Sequence, residues 1–314
     1  MIKTLIPAFR TDYLEDVFRG LASQNLQEFE ILIADDSPGR KVSESITNGS
    51  YRQYTDKLNI ELYAGAGSEL GNHNLLLDLW AGSSEFAHMH HDDDYIFPDF
   101  YRQHVTAHEN MDVAITVSSR WLSDESGIPK YFAGFPDQLE ESNDRLIALK
   151  PSFVAGTTLI PCRNWLGEFS SMLLSKRVLQ FAPSLTNWGD GYGGILDMSL
   201  YMRNAHFGLD LGYIRDHLGV YRAQFSKNRY KDPHNRSGQL HRFWWPANAA
   251  RAWKDQLLSE VSFQQSVATF LDRYLTEQPE NPHYTRLNSR MRSTVWDPSA
   301  IAELIEESNI ELLR

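Results

Sequence analysis

Three consecutive carboxylates, Asp92-Asp93-Asp94, follow the strand-like run Phe86 to His91. Like charges side by side repel more strongly as water is excluded, and a divalent cation relieves that repulsion. Hard oxygen donors suit Mg²⁺ or Mn²⁺, which keep several waters and also bind substrate phosphates. The triplet can therefore bridge a cation to a diphosphate, the plainer alternative being a solvated acidic turn. A second pair, Asp35-Asp36, closes the run Phe29 to Ala34. A carboxylate at a strand end can accept from a base N–H or a ribose hydroxyl, or cap the segment that follows. A rival constellation overlaps the triplet. His88-Met89-His90-His91-Asp92-Asp93 nearly spells a binuclear zinc set, and His88, His90 and Asp92 would suit Zn²⁺ in a hydrolase. On a strand, however, His88 and His90 share one face and His91 points the other way.

These groups need elements to hold them. Residues 2–6 read as a buried strand ended by Pro7, and Asp12 and Glu15 have capping-box spacing before an amphipathic helix over 13–24. Strands are expected over 29–34, 60–64, 86–91 and 113–118, with helices over 74–80 and after Pro98. Such alternation implies right-handed crossovers and a mostly parallel α/β sheet flanked by helices, whose ligands sit beyond the carboxyl ends of the strands. Pro7-Ala8-Phe9-Arg10, Asp35-Asp36 and Asp92-Asp93-Asp94 all fall at such ends. Residues 119–155 are polar and rich in Gly and Pro, an excursion over the site. A helix is expected near 194–204, and past about residue 223 the pattern turns helical, with Trp244-Trp245 as core or oligomer contact.

Composition narrows the classes. The chain has 314 residues, 42% hydrophobic and 23% charged, with 30 Lys+Arg against 41 Asp+Glu and a net charge of −11. So acidic a protein is a poor general nucleic-acid binder. Its single cysteine, Cys162, can form neither an intrachain disulfide nor a Cys-rich zinc site. No run of about 18 apolar residues suggests a membrane span, and the N-terminus does not read as a signal peptide. A cytoplasmic protein is expected, any peripheral attachment to the inner membrane face running through its acceptor or a partner. Neither a dinucleotide-binding nor a P-loop glycine fingerprint is present.

Taken together, these residues resemble the family 2 glycosyltransferases of the GT-A (Rossmann-like) fold. The resemblance rests on Ile6-Pro7-Ala8-Phe9-Arg10, on Gln24 with Phe29-Glu30-Ile31-Leu32-Ile33-Ala34-Asp35-Asp36-Ser37, on His73-Asn74, and on His91 through Asp99. A looser second block comprises Asn164 to Glu168, Ser170 to Leu173, Leu196-Asp197 through Arg203, and Gly219 to Arg222. It implies a GT-A domain over 1–222, with a nucleotide-binding half (1–118) and an acceptor half (119–222), then a helical extension over 223–314.

The resemblance also implies roles. Pro7, Ala8, Phe9, Arg10, Asp36 and Asn74 would hold the nucleotide, with Asp93, and in one alignment Asp92, on the ribose. Asp94, with Asp92 able to share the role, would bind Mn²⁺ or Mg²⁺. Asp197 would be the general base, with Asp190 as runner-up. Trp165 and Trp188 would face a sugar or fill the core, Glu168 would lie on the acceptor side, and Arg222 would meet a phosphate or a surface carboxylate. The expected activity is inverting, metal-dependent transfer from a UDP-, GDP- or dTDP-sugar to a glycan or lipid-linked acceptor, as in polysaccharide biosynthesis. A homo-oligomer through the C-terminal helices is kept open, and the competing readings are the zinc hydrolase and a non-catalytic nucleotide-sugar-binding protein.

Overall fold

Ile2–Ala8 forms strand β1, with Ile2, Leu5, Ile6 and Ala8 all buried, as a strand covered on both faces requires. The computed structural model describes residues 1–81, 83–132, 134–184, 195–223, 236–293 and 296–313. β2 (Phe29–Asp35) and β4 (Phe86–Met89) flank β1 in parallel, and β3 (Ile60–Ala64) adds to β2. Ala8 pairs with Asp35, and Asp35 with Ala64, so three strands end level. β5 (Tyr95–Ile96), β6 (Ile115–Ser123), β7 (Tyr131–Phe132), β8 (Leu146–Leu149), β9 (Met172–Ser175) and β10 (Leu211–Arg222) complete the sheet. Its order is β3-β2-β1-β4-β9-β6-β10-β5, with β7 on β6 and β8 on β10. The longest ladders, β1 with β2 and β6 with β10, are parallel; β9 lies antiparallel between β4 and β6.

The helices of this region are α1 (Leu14–Ala22), α2 (Lys41–Thr47), α3 (Arg52–Thr55), α4 (Glu69–Trp80), α5 (Phe100–Asn110) and α6 (Asp137–Glu140). The expected capping box does not form. Tyr13 occupies the cap of α1 and makes no side-chain cap bond. α4 starts five residues before the expected helix because Ser68 accepts the Gly71 N–H, which anchors a first turn that contains Gly71 and Asn72. The stretch 119–155 is more ordered than its composition suggests: β6 runs on to Ser123, and the short β7 and β8 lie antiparallel on β6 and β10. α1 and α5 bury Val17, Phe18, Leu21, Phe100 and Tyr101 against Ile2, Ile6, Ile31 and Ile33. Each such side chain contributes about 1.5–3 kcal/mol on leaving water.

The chain divides into two compact units. One is Met1–Leu149 with Leu166–Leu185 and Asp210–Phe225, and it holds the whole sheet. The other is Lys150–Trp165 with Thr186–Leu209 and Ser226–Arg314. Its described elements are α7 (Pro151–Leu159), α8 (Leu196–His206), α9 (Arg236–Lys254), α10 (Glu260–Tyr274), α11 (Pro282–Met291) and α12 (Pro298–Leu313). Ser259 and Asn281 cap α10 and α11, and Pro282 opens the latter. Phe243, Phe263, Phe270 and Tyr284 are buried there, and the Trp244 indole donates to Ser199 Oγ at 2.7 Å. Trp244 and Trp245 therefore belong to this unit's core. No helix among the described residues is long and apolar enough to cross a membrane.

Candidate functional site

The ends of β1, β2 and β4 are tied to one another by side chains. Asp92 Oδ2 accepts the backbone N–H groups of Phe9 at 2.6 Å and Arg10 at 2.7 Å. The Asp36 N–H donates to the Ala8 carbonyl at 2.9 Å. Asp36 Oδ2 accepts from Asn72 Nδ2 at 2.9 Å and its Oδ1 from the Gly67 N–H at 3.1 Å. Asn72 in turn accepts the Ala66 N–H at 2.6 Å. A Cβ on Gly65 would stand 2.1 Å from Asp36 Oδ1, so only glycine allows this approach. Asp35 is spent differently. Burial alone would raise its pKa, but four hydrogen bonds from Ser37 and Ser43 outweigh that and lower it. Asp35 thus braces the turn into α2, and Asp36 carries the open chemistry. Phe9 is 58% exposed at the tip of the first loop.

In the acidic triplet the three carboxylates have separate surroundings. Asp94 is 1% exposed; its Oδ1 accepts the Arg222 N–H at 3.0 Å, and its Oδ2 has no hydrogen-bond partner. Burial, then the charge of Asp93, pushes its pKa up to about 7. Burial and Asp93 also raise Asp92, with the Phe9 and Arg10 N–H groups offsetting part of the rise. Arg10 Nη1 lies 3.3 Å from Asp93 Oδ2. His91, Asp93 and Asp94 bring ligand atoms within 4.8 Å of one another. His91, the Ser170 hydroxyl and the Arg222 N–H offset part of the Asp94 rise, and the buried oxygen, beside another carboxylate and an imidazole, fits a divalent cation.

Arg222 is brought to the triplet's backbone. Its Nη1 donates to the Asp93 carbonyl at 2.5 Å, its Nη2 to Asp16 at 2.6 Å, and its guanidinium lies 4.2 Å from the Tyr13 ring centroid. The side chain is 3% exposed, so it is neither the surface salt bridge nor an open phosphate fork.

The zinc alternative is not supported. His88 and His90 do share a face, with stacked rings 5.0 Å apart, but both are fully buried. His88 is used up by Tyr101 OH and the Ser170 carbonyl, each at 3.1 Å. Burial pushes His88 down to about 3 and His90 well below its usual value, which makes them neutral core residues. Among the described residues the group with metal-ligand spacing contains neither of them, nor Asp92.

Glu168 grips Arg120 through two bonds, 2.6 Å from Nε and 3.0 Å from Nη2. With Asp94, Ser170 and Tyr221, this pair lines a cleft. Trp165 is 2% exposed and donates to Thr157 Oγ1 at 3.1 Å, so it is a packing residue and not a sugar platform, because no ring face is open. Asp197 lies in the first turn of α8, in the second unit; it accepts from its neighbour Met198 N–H at 2.8 Å and from Asn164 Nδ2 at 3.1 Å. Asn74 is half-buried on α4, six residues past the Ser68 cap and two past the Asn72 that meets Asp36. Asp190 and Trp188 lie outside the described residues. Sequence reasoning does not single out Asn72, Gly65 or Arg120, and it weighs His91 only within the zinc-like cluster and the acidic motif; an Asn and a Gly in a loop-to-helix junction give no signal until the Asp36 contact is seen.

No family model matches the chain, and no curated protein matches it by sequence. Solved structures do match in shape. S. aureus TarS 1-349 in complex with UDP-GlcNAc superposes with a TM-score of 0.60 at 13% identity, covering 100% of this chain and 81% of that one. A second crystal structure of S. aureus TarS 1-349 gives 0.57 at 14% identity, over 99% and 80%. The mannosyltransferase PcManGT from Pyrobaculum calidifontis, in complex with GDP-Man and Mn²⁺, gives 0.52 at 11% identity, over 98% and 86%. The fold is GT-A-like, with a helical C-terminal region. At such low identities the likeness extends to the fold, and the chemistry must be argued from this chain's own residues.

Proposed function

We propose that the protein is an inverting, cation-dependent glycosyltransferase that moves a sugar from a nucleoside-diphosphate donor to a hydroxyl of a glycan or lipid-linked acceptor, in the manner of family 2. The observation that carries this reading is the pair of bonds from Asp92 to Phe9 and Arg10, which joins the first-strand loop to the acidic triplet. The neighbouring folds in complex with UDP-GlcNAc or GDP-Man support it.

In this reading Asp36, oriented by Asn72 and Gly67, accepts from a base N–H, and Phe9 and Pro7 border the base. Asp93 takes a ribose hydroxyl. Asp92 fixes the loop and is not a cation ligand. Asp94, with Asp93, would hold the cation, which when bound would supply positive charge to the departing diphosphate. Arg10, 3.3 Å from Asp93, would offer a second positive charge to the diphosphate. A carboxylate, Asp197 or Asp190, takes the acceptor proton as its oxygen attacks the anomeric carbon and the bond to the β-phosphate breaks, inverting the configuration. Residues 1–118 then serve the nucleotide, 119–222 the acceptor, and 223–314 extend the domain.

Thermal unfolding with UDP, GDP and dTDP, each with Mn²⁺, tests this, because a ligand of the native state raises the midpoint by mass action. One nucleotide should stabilise the protein, and Asp36→Ala should abolish the shift. No shift with any of them at millimolar concentration would sink the assignment.

A further inference from the structure

His91 parts company with the two histidines before it. β4 ends at Met89, so His91 lies beyond the strand's alternation. Its backbone N–H is fixed by Ser170 Oγ at 3.0 Å, and its ring stands edge-on to His73 and Phe169, each centroid 5.8 Å away. Held this way, its Nδ1 is 4.0 Å from Asp94 Oδ2, the buried oxygen that has no hydrogen-bond partner. Two donors bound to one ion at about 2.1 Å each lie roughly 3–4.2 Å apart, depending on the angle. The His91–Asp94 separation falls in that range.

We infer that His91 is a nitrogen ligand of the cation, and that the site therefore selects a first-row transition ion such as Mn²⁺ or Co²⁺ over Mg²⁺. This deepens the transferase reading and rests on it for what the cation does, though not for its donors. A site of carboxylates and water alone accommodates Mg²⁺, Ca²⁺ and Mn²⁺, whereas an imidazole favours the transition series, in which affinity rises from Mn²⁺ to Co²⁺. The carboxylates set the charge of the site, and the imidazole sets which ion fills it.

Mn²⁺ titrated alone into the intact chain, followed by electron paramagnetic resonance with Mg²⁺ and Co²⁺ as competitors, tests the inference. Bound Mn²⁺ should show nitrogen-14 echo modulation that turns into a nitrogen-15 pattern in protein labelled through histidine. Co²⁺ should displace Mn²⁺ readily and Mg²⁺ poorly. His91→Gln should lose the nitrogen signal and narrow the Mn²⁺-over-Mg²⁺ preference by about tenfold, the low end of what partners of a metal site contribute. Absence of Mn²⁺ binding, no nitrogen modulation in the unsubstituted protein, or an unchanged preference in His91→Gln would each overturn it. UDP and GDP titrations of the same samples separate the two claims. Mn²⁺-dependent nucleotide binding with no nitrogen signal removes only the His91 assignment. A nitrogen signal with no nucleotide binding removes only the transferase.

Discussion

The Asp92 carboxylate holds the Phe9 N–H at 2.6 Å, across 83 residues of sequence. With the matching bond to Arg10, it fixes the start of the loop that follows β1. Asp92→Ala leaves two N–H groups without their acceptor and should lower stability by about 1.5–3 kcal/mol, the range for bonds to a charged group. Asp92→Asn keeps an acceptor oxygen and should retain most of it. Urea unfolding of the two variants checks the order, and equal midpoints would refute the clamp.

Gly65 offers a test of the base pocket that spares the core. A methyl group there meets Asp36 Oδ1 at 2.1 Å, so Gly65→Ala must displace the carboxylate from Asn72 and Gly67. The variant should fold, losing about 1 kcal/mol, while its nucleotide affinity falls at least tenfold by calorimetry. Undiminished affinity would place the nucleotide elsewhere.

Arg222 is the strut under the triplet. Arg222→Ala removes a donor from the Asp93 carbonyl and from Asp16, which keeps Arg19, and uncovers Tyr13. Because Asp16 is partly exposed, the loss should be roughly 2–4 kcal/mol, somewhat below that of breaking a fully buried pair. Arg222→Lys cannot reach both oxygens as a fork does and should recover less than half. A chemical denaturation series measures both.

Acid should loosen the sheet through its buried histidines. Burial, then His108, holds His104 well below its usual value, with Nδ1 on Thr116 Oγ1 at 2.8 Å. An unfolded histidine titrates near 6.5, so below that pH the unfolded chain binds the extra proton. Its neutral burial costs nothing above about pH 6.5 and up to ~1.4 kcal/mol for each pH unit below, until the folded value is reached. The raised pKa of Asp94 acts the other way, so the clean readout is a difference. Between pH 7.5 and 5.5, His104→Asn should lose less stability than the unsubstituted protein, by about 1–1.4 kcal/mol. Parallel pH dependences would contradict a neutral, buried His104.

The parts of the site that could be read from sequence are those whose position follows from a strand end. Apolar runs followed by Asp35-Asp36 and Asp92-Asp93-Asp94 announce both the strand and the carboxylates at its carboxyl end, and β1, β2, β3 and β4 appear where expected. What periodicity could not reveal depends on contacts made across the chain. Asn72 gains meaning only through Asp36, and Arg120 only through Glu168, 48 residues away. β7 and β5 are two residues each, too short to alternate. His91 was hidden by its neighbours, since three histidines in a row of four look like one cluster until the strand is seen to stop at Met89.

One strand's place in the sheet has a consequence for how the molecule is made. β9 sits between β4 and β6, although both are synthesised well before it. Until Met172–Ser175 leaves the ribosome, the nascent sheet has a slot at its centre, with two hydrogen-bonding edges facing an empty place. Any fragment ending earlier, however complete its nucleotide loops, would keep that slot open and is expected to be sticky and chaperone-dependent.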